Sequence, residues 1–131
     1  MTDAPKYKVL LVDDDKFLAD MYSMKFTQEG YDVTACLSAQ DALAAIKKGF
    51  QPDAILFDIV MPAMDGFAFL QALKSENLGG NVLKIALTNQ SDDAEREKAT
   101  QSGADRYIVK ATMIPSEVVA AVAEELAKKR K

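Results

Sequence analysis

Short apolar runs alternate along the chain with segments in which apolar residues return every three or four positions. Lys8 to Val12, Val33 to Cys36, Ala54-Ile55-Leu56-Phe57, Ile85-Ala86-Leu87 and Tyr107-Ile108-Val109 are runs of the first kind. Their length and the turn residues around them predict five strands, β1 to β5. The second kind follows each strand. Phe17, Met21 and Met24 recur at helical spacing with Leu18 beside them, so a first helix, α1, runs to Glu29-Gly30. Ser38 with Asp41 three residues later resembles a helix cap, and Leu43 and Ile46 supply the buried face of α2. Gly49 and Pro52 interrupt before β3, and Phe67, Leu70 and Leu73 give α3. Gly79-Gly80-Asn81 is a turn before β4. Ser91-Asp92-Asp93 opens a short, very polar α4 ending near Gly103. Pro115 suits the first turn of α5, whose apolar stripe is Val118, Val119, Val122 and Leu126.

Five strands, each followed by a helix, predict an α/β fold with a parallel sheet covered on both faces, a three-layer sandwich. The runs at β1, β3 and β4 are the most uniformly apolar, so these strands are expected in the centre. β2, which contains Thr34, and the short β5 belong at the edges. The expected order is 2-1-3-4-5, the flavodoxin-like (βα)5 arrangement, in which β1 and β3 flank the point where the winding reverses. Ligands of such sheets bind beyond the carboxyl ends of the strands.

Those ends carry the chemistry. Asp13-Asp14-Asp15 close β1, Asp58 closes β3, Thr88 closes β4 and Lys110 closes β5. Taken singly, each has an ordinary explanation. Acidic triplets are usually solvated, and Asp15 reads as the cap of α1. Thr88 alone would be a turn residue, Lys110 a surface lysine, and Met61-Pro62 with Asp65-Gly66 turn chemistry. Tyr107 alone is a packing residue. Their joint placement makes the signal specific. Two carboxylates ~4 Å apart repel by roughly 4 kcal/mol at an effective dielectric of ~20, so Asp13 or Asp14 beside Asp58 calls for a cation. Lys110 offsets part of this. An all-oxygen site with few carboxylates suits Mg²⁺, with Mn²⁺ as a substitute.

Composition narrows the chemistry further. The 131 residues suit one domain, residues 1–131, with a core from about 7 to 127, a short lead and a basic tail, Lys128 to Lys131. Hydrophobic residues make up 49% and charged residues 27%, as in ordinary globular proteins. The net charge of -4 and pI near 4.8 give no field for nucleic acid, and none is expected as a partner. The lone cysteine, Cys36, excludes an internal disulfide and reads as a small apolar strand residue. No run approaches the ~20 apolar residues that span a bilayer, and no secretory leader is recognisable, so a cytoplasmic location and no membrane partner are expected. The absence of histidine removes Ser-His-Asp and Cys-His catalysis and a histidine phosphoacceptor. No GxxxxGK[ST] loop is present, so the chain does not look like a nucleotide binder. What remains is attack by a carboxylate on an activated phosphoryl group to give an aspartyl phosphate.

Val12-Asp13-Asp14, Asp58-Ile59-Val60-Met61-Pro62 with Met64-Asp65-Gly66, Thr88, and Tyr107 with Lys110 together resemble the response-regulator receiver domain of two-component signalling. The likeness runs from about Tyr7 to Ala127, with the motifs in the family's order and spacing. It implies a phosphorylation-activated switch. Asp58 accepts the phosphoryl group from a histidine kinase, a phosphotransfer protein or a small phosphodonor, with Thr88 and Lys110 completing the catalytic set. The resemblance also implies that Asp13, Asp14, Asp58 and the main-chain carbonyl of Val60 hold Mg²⁺. Thr88 then moves toward the phosphoryl group and Tyr107 reorients, changing an α4-β5-α5 surface that binds a downstream protein. The chain resembles a stand-alone receiver of the chemotaxis-regulator kind, acting by binding or in a phosphorelay. It is not expected to be an enzyme beyond its own phosphorylation and dephosphorylation. Val60 and Gln90 flank the implied path of the hydrolytic water, and slow-to-moderate hydrolysis is expected.

Two positions depart from the family pattern. Asn89 stands where a small residue is usual, and Ala111 where a proline joined by a cis bond is usual. Without proline a cis bond costs ~2.5–4 kcal/mol, so a trans Lys110-Ala111 bond is expected, with Lys110 still aimed at Asp58. Two other readings compete. A degenerate receiver would be a constitutive interaction module that is never phosphorylated. A haloacid-dehalogenase-type phosphohydrolase also combines acids, a hydroxyl and a lysine at strand ends. It would want its nucleophile after β1 in an Asp-x-Asp-Gly-Thr context, whereas Asp15 here continues into Lys16-Phe17.

Overall fold

A computed structural model describes residues 7–78, 80–89 and 92–129. Strands β1 (Lys8–Val12), β2 (Asp32–Cys36), β3 (Ala54–Asp58), β4 (Leu83–Thr88) and β5 (Arg106–Val109) form one sheet in the order 2-1-3-4-5. Every neighbouring pair is parallel, as the alternation with helices requires. The helices are α1 (Lys16–Gln28), α2 (Ala39–Lys47), α3 (Gly66–Ser75), α4 (Asp93–Gln101) and α5 (Pro115–Lys129). Residues 1–6, Gly79, Gln90, Ser91, Arg130 and Lys131 lie outside the described residues, and with them the short lead, the expected water-positioning residue Gln90 and the tip of the basic tail.

Side-chain alternation along the central strands divides the core in two. Val9, Leu11, Leu56, Ile85 and Leu87 face α1 and α5, meeting Phe26, Val118 and Val122. Leu10, Val12, Ile55, Phe57 and Ala86 face the other way, against Leu43, Phe69, Leu70 and Leu73 of α2 and α3. Capping residues set the helix starts. Asp15, Ser38, Asp65 and Asp92 each accept from a backbone N–H in the first turn of the helix that follows.

One stripe is placed differently from what its spacing alone conveys. Phe17 and Met24, which mark α1 as a helix, are 74% and 62% exposed. The face that α1 buries is Ala19, Tyr22 and Phe26. Both sets have helical periodicity, and only the docking of α1 onto the sheet chooses between them.

Candidate functional site

The winding order brings the carboxyl ends of β1, β3, β4 and β5 to one edge of the sheet. Asp13 and Asp58 are buried there, 0% and 3% exposed, and Thr88 is 3% exposed, while Asp14 is exposed. Asp13 is fixed first by its backbone, whose N–H donates to Cys36 O at 3.1 Å. Its Oδ1 accepts from Asp15 N at 3.0 Å. The Lys110 ammonium then bridges two strands, 2.8 Å from Asp13 Oδ2 and 3.3 Å from Asp58 Oδ2. Its expected aim at Asp58 is observed. No described peptide bond is cis, so Lys110-Ala111 is trans, and the chain leaves β5 through a 3-10 turn over Lys110–Thr112. That turn is closed by Met113 N donating to Lys110 O and Thr112 Oγ1 donating to Val109 O. The slack before Pro115 supplies a path without a cis bond.

Burial dominates the electrostatics. It pushes the Asp58 acid up to about 6, against the lowering effect of the Lys110 charge, and the Asp13 charge raises it further. Burial by itself would depress the Lys110 amine. The hydrogen bond it donates to Asp13 and the charges of Asp58 and Asp13 outweigh it, and the amine is raised. One atom is left over: Asp58 Oδ1 is buried with no well-formed hydrogen bond, while the Val60 backbone N–H lowers the acid only in part. A buried polar atom in that condition costs about 1–3 kcal/mol, so it marks a place where a further group belongs. Asp13, Asp14 and Asp58 each offer one oxygen, all within 4.8 Å of one another, so the described residues fit a hard cation.

The loop after Asp58 is held by close backbone packing. Met64 N donates to Pro62 O at 2.7 Å around Ala63, whose φ is 67°, a tight γ-turn with a strained centre. A Cβ on Gly66 would lie 2.8 Å from Ile59 Cα and 2.9 Å from Asp58 O. Gly66 is therefore needed for the close approach of α3 to the Asp58 strand, a role that turn chemistry alone does not convey.

On the other flank, the Thr88 side chain hydrogen-bonds Tyr107, whose hydroxyl donates to Glu95 Oε1 of α4 at 2.7 Å. The Arg96 guanidinium lies 4.8 Å from the Tyr107 ring centre. Glu95 and Arg96 were not legible as partners of the site. They sit in a run of surface charge, and only the rotation of α4 against β5 selects them. Nor does the sequence show that Phe17, Val60 and Ile114, all at strand-to-helix junctions around the acids, are left 63–74% exposed.

A family model described as the response regulator receiver domain matches residues 9–123. The DNA-binding response regulator MtrA of Mycolicibacterium smegmatis is 32% identical over 124 residues, covering 95% of this chain and 52% of that protein. The chain thus spans about half the length of the curated relatives it matches. The receiver domain of Francisella response regulator 1452 superposes with a TM-score of 0.83 at 30% identity, over 96% of this chain and 100% of that one. A CheY-like receiver domain protein from Methanospirillum hungatei superposes with a TM-score of 0.82 at 31% identity, over 94% and 95% of the two chains.

Proposed function

The chain belongs to the response regulator receiver family of two-component signalling, and from that premise we propose that it is a switch driven by phosphorylation of Asp58. One observation carries the reading: a buried carboxylate with one oxygen held by Lys110 and the other making no well-formed hydrogen bond, beside the Val60 backbone N–H that also bears on the carboxylate. Oδ1, the oxygen that Lys110 does not hold, is the atom we assign as nucleophile. Its lone pair forms the bond to phosphorus as the bond from phosphorus to a donor imidazole nitrogen breaks, and that nitrogen keeps the electron pair. At neutral pH an acid with a value of about 6 is mostly ionised and available to attack.

Receiver domains bind Mg²⁺ at an acidic pocket, and Asp13, Asp14 and Asp58, with the main-chain carbonyl of Val60, are the ligands we assign. When bound, the ion would neutralise charge shared by the attacking and transferred oxygens. Lys110 reaches a phosphoryl oxygen from its place beside Asp58 Oδ2. Thr88 does so by giving up its hydrogen bond to Tyr107, which loosens the hold of Tyr107 on Glu95 and thereby alters the α4-β5-α5 face. That exchange of partners links site to surface. We assign docking of the histidine kinase or phosphotransfer protein to the exposed apolar side chains Phe17, Val60 and Ile114, which lie close in sequence to Asp14, Asp58 and Lys110. The downstream partner at α4-β5-α5 is a protein rather than nucleic acid, consistent with the net charge of -4. DNA binding, named for the mycobacterial relative, is a property of that longer protein. Among the described residues no helix is long and apolar enough to cross a membrane, and a cytoplasmic setting follows from partnership with a kinase.

The test is intact mass after incubation with acetyl phosphate and Mg²⁺, for the wild type and Asp58→Asn. One phosphoryl adduct on the wild type and none on the variant is expected. Absence of any adduct favours a constitutive module, and sustained turnover through Asp13 favours a phosphohydrolase. Melting temperature in a Mg²⁺ titration checks the ion separately. A ligand of the native state adds ~2.7 kcal/mol at a hundredfold excess over Kd, and Asp14→Asn should remove most of that gain.

A further inference from the structure

The sheet has a second opening, at the amino end of β4 and away from the acids. Between the last turn of α3, the start of β4 and the α4–β5 junction lies a cavity of about 260 Å³. Leu70, Leu73 and Leu78 provide its apolar wall, and Lys74 and Lys84 both line it. Lys84 occupies an unusual position for a lysine. It precedes Ala86 by two residues on β4, so it stands on the sheet face that elsewhere packs Leu70 and Leu73 into the core.

Neither ammonium has a carboxylate partner among the described residues. Lys84 Nζ donates to the carbonyls of Val82 at 3.0 Å and Gly80 at 3.4 Å, which leaves one of its three protons. Asp105, whose charge acts on the Lys84 amine, accepts instead from the Lys84 backbone N–H at 2.8 Å. Burial lowers the Lys84 amine, the Asp105 charge counters it, and Lys129 and Lys74 lower it further. Two like charges thus share an apolar pocket without a counter-ion in it.

We propose that this cavity binds a small organic anion, a carboxylate whose apolar tail lies on the leucines and whose head group meets Lys74 and Lys84. The pocket is slightly smaller than those that hold drug-sized ligands, which limits the tail to a short aliphatic or single-ring group. An ammonium–carboxylate contact in a partly dehydrated pocket is stronger than the same contact in water, and the apolar wall rewards a tail. The site does not depend on Asp58 and is tested on the unphosphorylated protein.

Octanoate and octan-1-ol, which share a tail and differ in charge, are the probes. Each is titrated into isotopically labelled protein while amide resonances are followed. Octanoate is expected to shift Leu70, Leu73, Leu78 and Lys84 saturably, and octanol to bind about fivefold or more weakly. Lys84→Gln and Lys74→Gln should each weaken octanoate by a similar factor. Lys74 is exposed, so its replacement leaves the fold intact, and the octanol comparison needs no variant. Equal affinity for octanol, shifts confined to other parts of the molecule, no saturable shift, or undiminished octanoate binding by Lys74→Gln would each overturn the site.

Discussion

Helices α5 and α4 lie next to each other in sequence around β5, and they are held to the sheet by different forces. α5 buries Val118, Val119, Ala121, Val122 and Leu126. At ~1.5–3 kcal/mol for each large apolar side chain, that face alone is worth several kcal/mol. α4 buries only Ala99. What secures it is polar and peripheral: Glu95 on the Tyr107 hydroxyl, Arg96 over the Tyr107 ring, and Lys98 with its amine 4.3 Å from the Phe67 ring centre. Contacts of this kind are worth ~0.5–1 kcal/mol each at exposed sites. A helix held by apolar area stays where it is until the domain unfolds. One held by a few exchangeable contacts can move when a single contact is redirected, and the redirected one here would be Thr88 with Tyr107.

Truncation gives the largest contrast. Leu126→Ala removes a side chain that is 4% exposed and should cost about 2–4 kcal/mol in urea unfolding. Removing any one polar tie of α4 should cost less than about 1 kcal/mol. Comparable losses on the two helices would erase the distinction.

The acid cluster offers the next test, because Asp58 lies between the firm and the loose sides. Its folded value is about 6 against an ordinary 3.8, so between those values the folded protein holds a proton that the unfolded chain releases. In metal-free solution stability should therefore fall as pH rises from about 4 to about 6 and level off above. The full effect is on the order of 3 kcal/mol. Asp58→Asn cannot ionise. It should flatten that slope and be more stable than the wild type by about 1–3 kcal/mol at pH 7. Chemical unfolding with EDTA across this range checks it, and a wild-type profile that rises with pH would contradict the burial-driven shift.

The contrast between the two helices was partly legible in the sequence. The charged run of α4 and the valine stripe of α5 announce it, and the uniformly apolar β1, β3 and β4 announce the strand order. The placement of acids, hydroxyl and amine at strand ends likewise follows from the pattern, since a strand's end is visible where its apolar run stops. Rotation about a helix axis is not visible in this way. α1 carries two stripes of helical period, Phe17-Met21-Met24 and Ala19-Tyr22-Phe26, and the sequence does not say which one meets the sheet. Glu95 is hidden for the same reason, because every residue of α4 except Ala94 and Ala99 is polar or charged. Gly66 is hidden differently: its close approach depends on where a neighbouring loop passes.

The smallest expected effect on stability is the most informative about the switch. Glu95→Ala removes the acceptor of the Tyr107 hydroxyl, a bond on the partly solvated flank of the domain. Its net worth is about 0.5–1 kcal/mol, so unfolding should barely register the change. Local opening is another matter. With little apolar area under it, α4 loses a sizeable part of its hold, and its amides from Arg96 to Gln101 should exchange severalfold faster. The α5 amides from Val118 to Leu126 should not change, since their protection depends on burial that the substitution leaves alone. Beryllofluoride should produce a related pattern in the wild type if Thr88 leaves Tyr107 for the phosphoryl site. Exchange would then alter across Asp92 to Lys110 and stay fixed in α5. In Glu95→Ala part of that response should already be present before beryllofluoride is added. If the exchange of α4 is unmoved by either treatment, the helix is not held by Tyr107, and the proposed path from Asp58 to the surface fails at that step.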